Sequence, residues 1–262
     1  MKPNIDQSKI LELKTESKLA RKDDVETFPM PELQAFGKNI WIIDGPKVRD
    51  MGIMFTTRMM IAKLANGSIL VNSPVPVPFD TLNRITELGP VKYLVAATPR
   101  HVWRLDSWHT LFPEAQLWVP RPTPFTLKKG NLPITGILRD SPNQAWADDF
   151  DQLAFKGNPL IEEIMFYHKD SQSVILDDLI QIHPPVKDQP FHNALFRVEG
   201  VASSHGGVGL DFKLTFTHRK LARQSLEKLL SWDFDKLIIA HGPCIEKDAK
   251  QFVKQAFHWL MH

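Results

Sequence analysis

Three short apolar runs in this chain each end just before a residue able to bind a metal ion, and this repeated punctuation constrains the fold more than any other feature. VKYLVAA (Val91 to Ala97) leads to His101, SVIL (Ser173 to Leu176) to Asp178, and KLIIA (Lys236 to Ala240) to His241. Runs of four to seven residues rich in Val, Ile and Leu are too short for stable helices and suit buried strands. Helix-like segments accompany them, at Phe79 to Leu88, closed by Gly89-Pro90, and at Leu105 to Phe112, ending before Pro113. This β-α-β order marks a layered α/β domain, in which residues just past the strand ends face a shared edge. Imidazole and carboxylate converging there suit a borderline cation such as Zn²⁺. A strand-end histidine taken alone is more often a satisfied structural residue, and it is the three in order that raise the metal reading.

Further runs fill out the sheet. Asn39 to Asp44 is β-like and stops at Gly45-Pro46. Thr56 to Leu64 meets Ala65-Asn66-Gly67 before Ser68 to Asn72, and Asn-Gly between apolar runs predicts a hairpin with a type I′ turn. Gln116 to Val119 and Ile161 to Tyr167 read as strands, whereas Pro120 to Pro159 reads as a long irregular excursion over the surface. Near the C-terminus, Thr217 is placed to cap a helix running to about Ser231, with Leu221, Ala222, Ser225, Leu226, Leu229 and Leu230 on one face. A final helix spaces Ala249, Phe252, Val253, Ala256, Phe257 and Leu260 helically, so each of these two helices covers a sheet. Residues 1–35 carry few apolar side chains among many charges and are expected to be an N-terminal extension, helical or flexible. Residues 36–262 are expected to be one domain.

Charge and cysteine content narrow the class of function. Lys plus Arg (32) nearly balances Asp plus Glu (30), which argues against nucleic-acid binding. No stretch approaches the roughly 20 apolar residues of a membrane span, and the charged first 22 residues lack the apolar core of a secretory signal. The single cysteine, Cys244, allows no intrachain disulfide. A cytoplasmic protein is expected.

Several catalytic signatures are absent: there is no G-x-S-x-G, H-E-x-x-H, Walker loop, C-x-x-C or G-x-G-x-x-G. Weaker candidates remain. Asp106 and His109 share a helix face, where a surface hydrogen bond is the simpler role. Ser203, Ser204 and His205 lie in one loop without triad partners, and the following Gly206-Gly207-Val208-Gly209 does not join a strand to a helix. Cys244 reads as a small buried thiol. Trp103, Trp108 and Trp118 read as core or pocket wall.

The order of the pieces resembles the metallo-β-lactamase superfamily and, more closely, the DUF4336 family within it. The matching stretches are Ile40 to Pro46, Arg58 to Pro74, Thr98 to Pro120, Glu163 to Asp178 and Trp232 to Ile245, so the resemblance spans about residues 36 to 262. It implies a four-layer αββα sandwich and a metal-dependent hydrolase. It also locates a departure. Where the superfamily reads T-H-x-H-x-D-H after a strand, this chain reads Thr98, Pro99, Arg100, His101, Val102, Trp103, Arg104. Only Thr98 and the second histidine are kept, and the aspartate and last histidine, which serve a second metal, are Trp103 and Arg104.

The resemblance therefore implies a mononuclear site or none. The expected ligands of one divalent ion (Zn, Fe or Mn) are His101, Asp178 in the place of the bridging aspartate, and His241 in the place of the last histidine. A metal-bound water would then attack an ester, amide or phosphoester. Glu163, near the place of a further superfamily histidine, is the candidate fourth ligand or general base, and Asp178 is counted with it as catalytic. Arg104 is the candidate to hold an anionic small-molecule ligand through its planar donors. The competing expectation is a metal-free pseudoenzyme that binds a small molecule or a protein partner.

Overall fold

The computed structural model describes residues 31–50, 53–121, 132–202 and 206–261. Most of the expected N-terminal extension, and the Ser203, Ser204 and His205 loop, lie outside the described residues.

Two sheets form the middle of the molecule. The larger has seven strands in sequence order: β1 (Gln34–Gly37), β2 (Ile40–Asp50), β3 (Ile53–Lys63), β4 (Ile69–Asn72), β5 (Val91–Val95), β6 (Gln116–Val119) and β7 (Ile134–Ile137). β1 to β4 are antiparallel, and β4 to β7 run parallel. The smaller sheet has the order β11-β10-β9-β8, from β8 (Phe150–Phe155), β9 (Glu163–His168), β10 (Ser173–Leu176) and β11 (Lys236–Ile239). β10 and β11 are parallel, and β9 is antiparallel to β10.

The two-residue period of the strands sorts their side chains into three cores. Ile40, Ile42, Met60, Leu70 and Val95 of the larger sheet meet Phe150, Ile164, Phe166, Ile175 and Ile238 of the smaller one between the sheets. Their neighbours Ile43, Met59, Ile61, Val71 and Leu94 face outward and are covered by α1 (Phe79–Leu88) and α2 (Leu105–Leu111), through Leu82, Ile85, Leu105 and Trp108. On the far side, Met165, Val174, Leu176, Leu237 and Ile239 are covered by α5 (Arg219–Ser231) and α6 (Ala249–Ala256), through Ala222, Leu226, Leu229 and Val253. Each buried Val, Leu, Ile or Phe contributes about 1.5–3 kcal/mol, and conformational entropy offsets most of the sum. The layers are helix, sheet, sheet, helix, as the αββα expectation required.

Some local readings are corrected. Gly67 has φ +81 while Asn66 is not among the positive-φ residues, so the β3–β4 turn is not type I′. The N–H of Gly67 donates to the Leu64 carbonyl (2.8 Å) and that of Leu64 to the Ser68 carbonyl (2.9 Å). This is a type I turn followed by a left-handed residue, the usual three-residue hairpin loop. The excursion from Pro120 to Pro159 contains β7 and β8, and β8 sends Phe150 and Ala154 inward and Leu153 and Phe155 outward. Two helices were not foreseen, α3 (Pro190–Glu199) and α4 (Leu210–Thr215). The residue before α5 is His218, with no side-chain cap bond, rather than a Thr217 cap, and Leu221 is exposed. β1 opens at Gln34 and Leu33 packs on the α1–α2 core, so the folded part begins slightly before residue 36.

Candidate metal centre

Strand polarity brings the chemistry to one edge. β4, β5, β10 and β11 end there, and the antiparallel β3 and β9 begin there. The sheets also touch at this edge, where the Ile164 N–H donates to the Ala97 carbonyl at 2.8 Å. Past the ends of β5, β10 and β11 lie His101, Asp178 and His241, and the structure brings all three together.

His101 Nε2 lies 3.4 Å from His241 Nε2 and 3.4 Å from Asp178 Oδ1, and His241 Nε2 lies 3.2 Å from the same oxygen. Three donors about 2.0–2.1 Å from a common tetrahedral centre stand roughly 3.3 Å apart, so this triangle has the edge lengths of a zinc-type ligand set. Asp178 Oδ2 is buried with no hydrogen-bond partner among the described residues, an orphaned carboxylate oxygen beside the triangle. Such atoms are rare in folded proteins without an ion or water to satisfy them. The donor set therefore fits one divalent ion.

Neighbouring groups aim the ligands. His241 Nδ1–H donates to the Thr56 carbonyl at 2.6 Å, which leaves the Nε2 lone pair facing the triangle. His101 Nδ1 faces Asp177 Oδ2 at 3.4 Å. Asp177 is in turn held by Asn72 Nδ2 (3.1 Å) and the Ser73 hydroxyl, both from the end of β4. The His241 loop is clamped by Arg58, whose Nη1 donates to the Ile239 and Gly242 carbonyls at 2.5 Å each, while its other nitrogens engage Asp44 at 2.7 Å.

Glu163 takes a different place from the one expected. It opens β9 beside the triangle, but its carboxylate accepts the backbone N–H groups of Asp177, Asp178 (3.2 Å) and Leu179 (2.7 Å). Both oxygens are committed to that turn, so the structure does not bring Glu163 to the triangle as a ligand or base. It holds the turn that carries Asp178. Sequence reading missed this role and those of Asn72, Ser73, Thr56 and Arg58, and it weighed Asp177 only as a poorer fit than Asp178 to the place of the bridging aspartate. Its one usable signal was the doubled aspartate after SVIL.

The charges respond to this crowding. Burial alone pushes the His101 imidazole down, but Asp177, Asp178 and Glu163 outweigh it and raise the ring to about 9. Burial, then the Asp178 and Asp177 carboxylates, raise Glu163 to about 8. Burial also pushes against the Asp178 charge, yet His101 and His241 hold this carboxyl well below the usual range. Asp177 is raised, mainly by burial. Next to the centre His183, stacked on Phe196 at 3.8 Å, is pushed down to about 3 by burial and by His241 and His192.

Above the triangle is a cleft of about 830 Å³ of empty space open to solvent. Arg104 lines it together with Arg100 and Trp103. Asp106 and His109 lie on α2 and outside both the triangle and the cleft lining, Cys244 is a half-buried free thiol, and Trp108 is core, its Nε1–H donating to the Val75 carbonyl at 3.0 Å. Among the described residues no helix is long and apolar enough to cross a membrane.

Comparison with known proteins agrees with the architecture. No curated protein matches the sequence. Among solved structures, a metal-soaked flavodiiron core from Synechocystis superposes with a TM-score of 0.59 at 11% identity, over 89% of this chain and 62% of that one. This chain thus spans under two thirds of that protein. A metallo-β-lactamase from Pontibacter korlensis gives 0.58 at 9% identity, over 89% of this chain and 100% of its own. A metallo-β-lactamase from Pseudomonas aeruginosa in its mono-zinc form gives 0.59 at 9% identity, over 90% and 99%. At such identities the likeness shows the fold alone, the metallo-β-lactamase fold. The family model for a domain of unknown function, DUF4336, matches residues 38–193. That match runs from β2 through the Asp178 turn into α3 and covers more than half of the sequence, so the chain belongs to the DUF4336 family.

Proposed function

We propose that this chain is a hydrolase-like protein with a reduced, mononuclear centre, in which His101, Asp178 and His241 hold one divalent ion, Zn, Fe or Mn. The observation that carries the reading is the 3.2–3.4 Å triangle of two imidazole nitrogens and one carboxylate oxygen, with an orphaned oxygen beside it. Such an ion, when bound, supplies a Lewis acid and a water acidified towards pKa ~7 for attack on an ester, amide or phosphoester. The chain's own residues bind and orient: Thr56 and Asp177 fix the imidazoles, Glu163 fixes the turn, and Arg104 offers a planar cation to an anionic part of the ligand. The His101, Asp178 and His241 set is the one group of three His, Cys, Asp or Glu side chains with metal-site spacing among the described residues, which supports a single ion. Trp103 and Arg104, where the superfamily has second-metal ligands, support the same count. The free Cys244 supports a reducing compartment such as the cytoplasm.

A second reading, a metal-free binding protein, is favoured by a different observation. A protonated His101 faces a carboxylate oxygen of both Asp177 and Asp178 at 3.4 Å, so part of the carboxylate charge is balanced by the chain's own imidazole.

Metal analysis separates the two. Protein prepared without chelator or histidine tag is expected to carry about one equivalent of zinc, iron or manganese, and His101→Ala and His241→Ala to carry none. A wild-type protein free of metal, with a melting temperature indifferent to added Zn²⁺, Mn²⁺ and Fe²⁺, would establish the second reading instead. A further variant probes the support of the centre. Glu163→Gln turns an amide N–H towards backbone N–H groups and is expected to weaken metal binding about 10–100-fold, the usual effect of losing an outer partner. Titration calorimetry showing unchanged affinity would remove Glu163 from that role.

A further inference from the structure

We infer that the cleft over the triangle takes a small oxyanion carried on an apolar body, such as an aryl-alkyl carboxylate, with Arg104 holding the charged end. This deepens the reading above and shares its cleft, but it does not depend on the ion. The lining of the cleft is divided by chemistry. Pro46, Val48, Phe55, Pro74, Val75 and Pro76 offer no charge, and the three prolines make that part of the lining stiff. The remainder includes Arg100, Trp103 and Arg104, with Trp103 half exposed.

The balance of charge in the cleft is one-sided. Among its described lining residues the only acid is Asp178, which is 2% exposed and engaged by His101 and His241. Of the three lining arginines, Arg58 is used up by Asp44 and by the Ile239 and Gly242 carbonyls. Arg100 has other partners. The Arg104 side chain makes no hydrogen bond or ion pair within the described residues, and it lines the cleft. A cationic or purely apolar ligand leaves that guanidinium unmatched, and a small inorganic anion leaves the apolar lining uncovered. A carboxylate, sulfonate or phosphate on an aromatic or aliphatic body satisfies both.

The experiment compares a matched pair, 4-phenylbutyrate and 4-phenylbutanol, by titration calorimetry on the full chain, once stripped with chelator and once with zinc added. On the stripped protein the acid is expected to bind about tenfold more tightly than the alcohol, the yield of one charge-assisted contact. In Arg104→Gln that preference is expected to fall towards unity, and in Arg104→Lys to be partly kept. Equal binding of acid and alcohol by the stripped wild type overturns the inference, as does a preference that survives in Arg104→Gln. Should Arg104→Gln fail to fold, the wild-type ratio and the Arg104→Lys ratio decide. Metal content of the same samples is read separately. A metal-free protein that prefers the acid ends the hydrolase reading and keeps this one, and a metal-loaded protein indifferent to charge does the reverse.

Discussion

Replacing Gly242 with alanine is expected to lower the melting temperature by roughly 6–12 °C and to abolish metal binding together. Gly242 follows His241 with φ +123, a conformation that L side chains rarely adopt. An added Cβ would overlap the Ile182 carbonyl oxygen and lie 2.8 Å from its carbon. Relief requires the chain at 241–242 to move away from Ile182, whose N–H donates to the His241 carbonyl at 2.9 Å. That movement also pulls the Gly242 carbonyl off Arg58. Backbone strain alone costs about 1–3 kcal/mol. With the lost hydrogen bonds the total is about 3 kcal/mol, and at roughly 2–4 °C per kcal/mol for a protein of this size the drop follows. Differential scanning fluorimetry and zinc titration on one sample check both halves. An alanine variant that melts and binds as the wild type does would show that the loop tolerates the Cβ and that His241 is aimed by something else.

Metal affinity is expected to rise about tenfold per pH unit from pH 6 to pH 8 and to level off above about 9. The sign follows from His101. Without an ion its ring stays protonated up to about 9, because Asp177, Asp178 and Glu163 overcome the effect of burial. A cation can take Nε2 only after that proton leaves, so binding releases about one proton and lower pH competes with it. Over those two units the change is roughly 100-fold. Competition with a chromogenic chelator at several pH values measures it. Affinity that does not change between pH 6 and 8 would mean that His101 is neutral before the ion arrives and that the surrounding carboxylates do not govern it.

The strands and helices with strong punctuation were legible in the sequence. α1 matches the expected Phe79 to Leu88, and β6 and β10 match at both ends. α1 is amphipathic at helical spacing and closed by Gly89, β6 is closed by Pro120, and β10 is buried along its whole length and ends at the doubled aspartate Asp177-Asp178. β8 was not legible, because FDQLAF is short, carries Asp151 and Gln152 and lies among prolines and glycines. Its pairing with β9 comes from tertiary packing, which local pattern does not report. The Asn66-Gly67 turn joined the right strands with the wrong backbone, since a dipeptide preference cannot separate a two-residue loop from a three-residue loop. At the centre, the three expected ligands could be read because each follows a strand end. Their supporting groups could not. Arg58, Asp177 and Thr56 act through contacts that span 181, 76 and 185 residues of chain, and Glu163 looked like a ligand because nothing in its spacing shows that its carboxylate turns to backbone N–H groups.

The triangle draws one corner from the seven-stranded sheet and two from the four-stranded sheet, with no single rigid element owning all three. Its edge lengths are therefore a gauge of how the two sheets are seated on each other. A slip of half an ångström at Trp146, Phe150 or Phe166, which pack between the layers, is expected to reappear there as a misfit of the three ligand atoms.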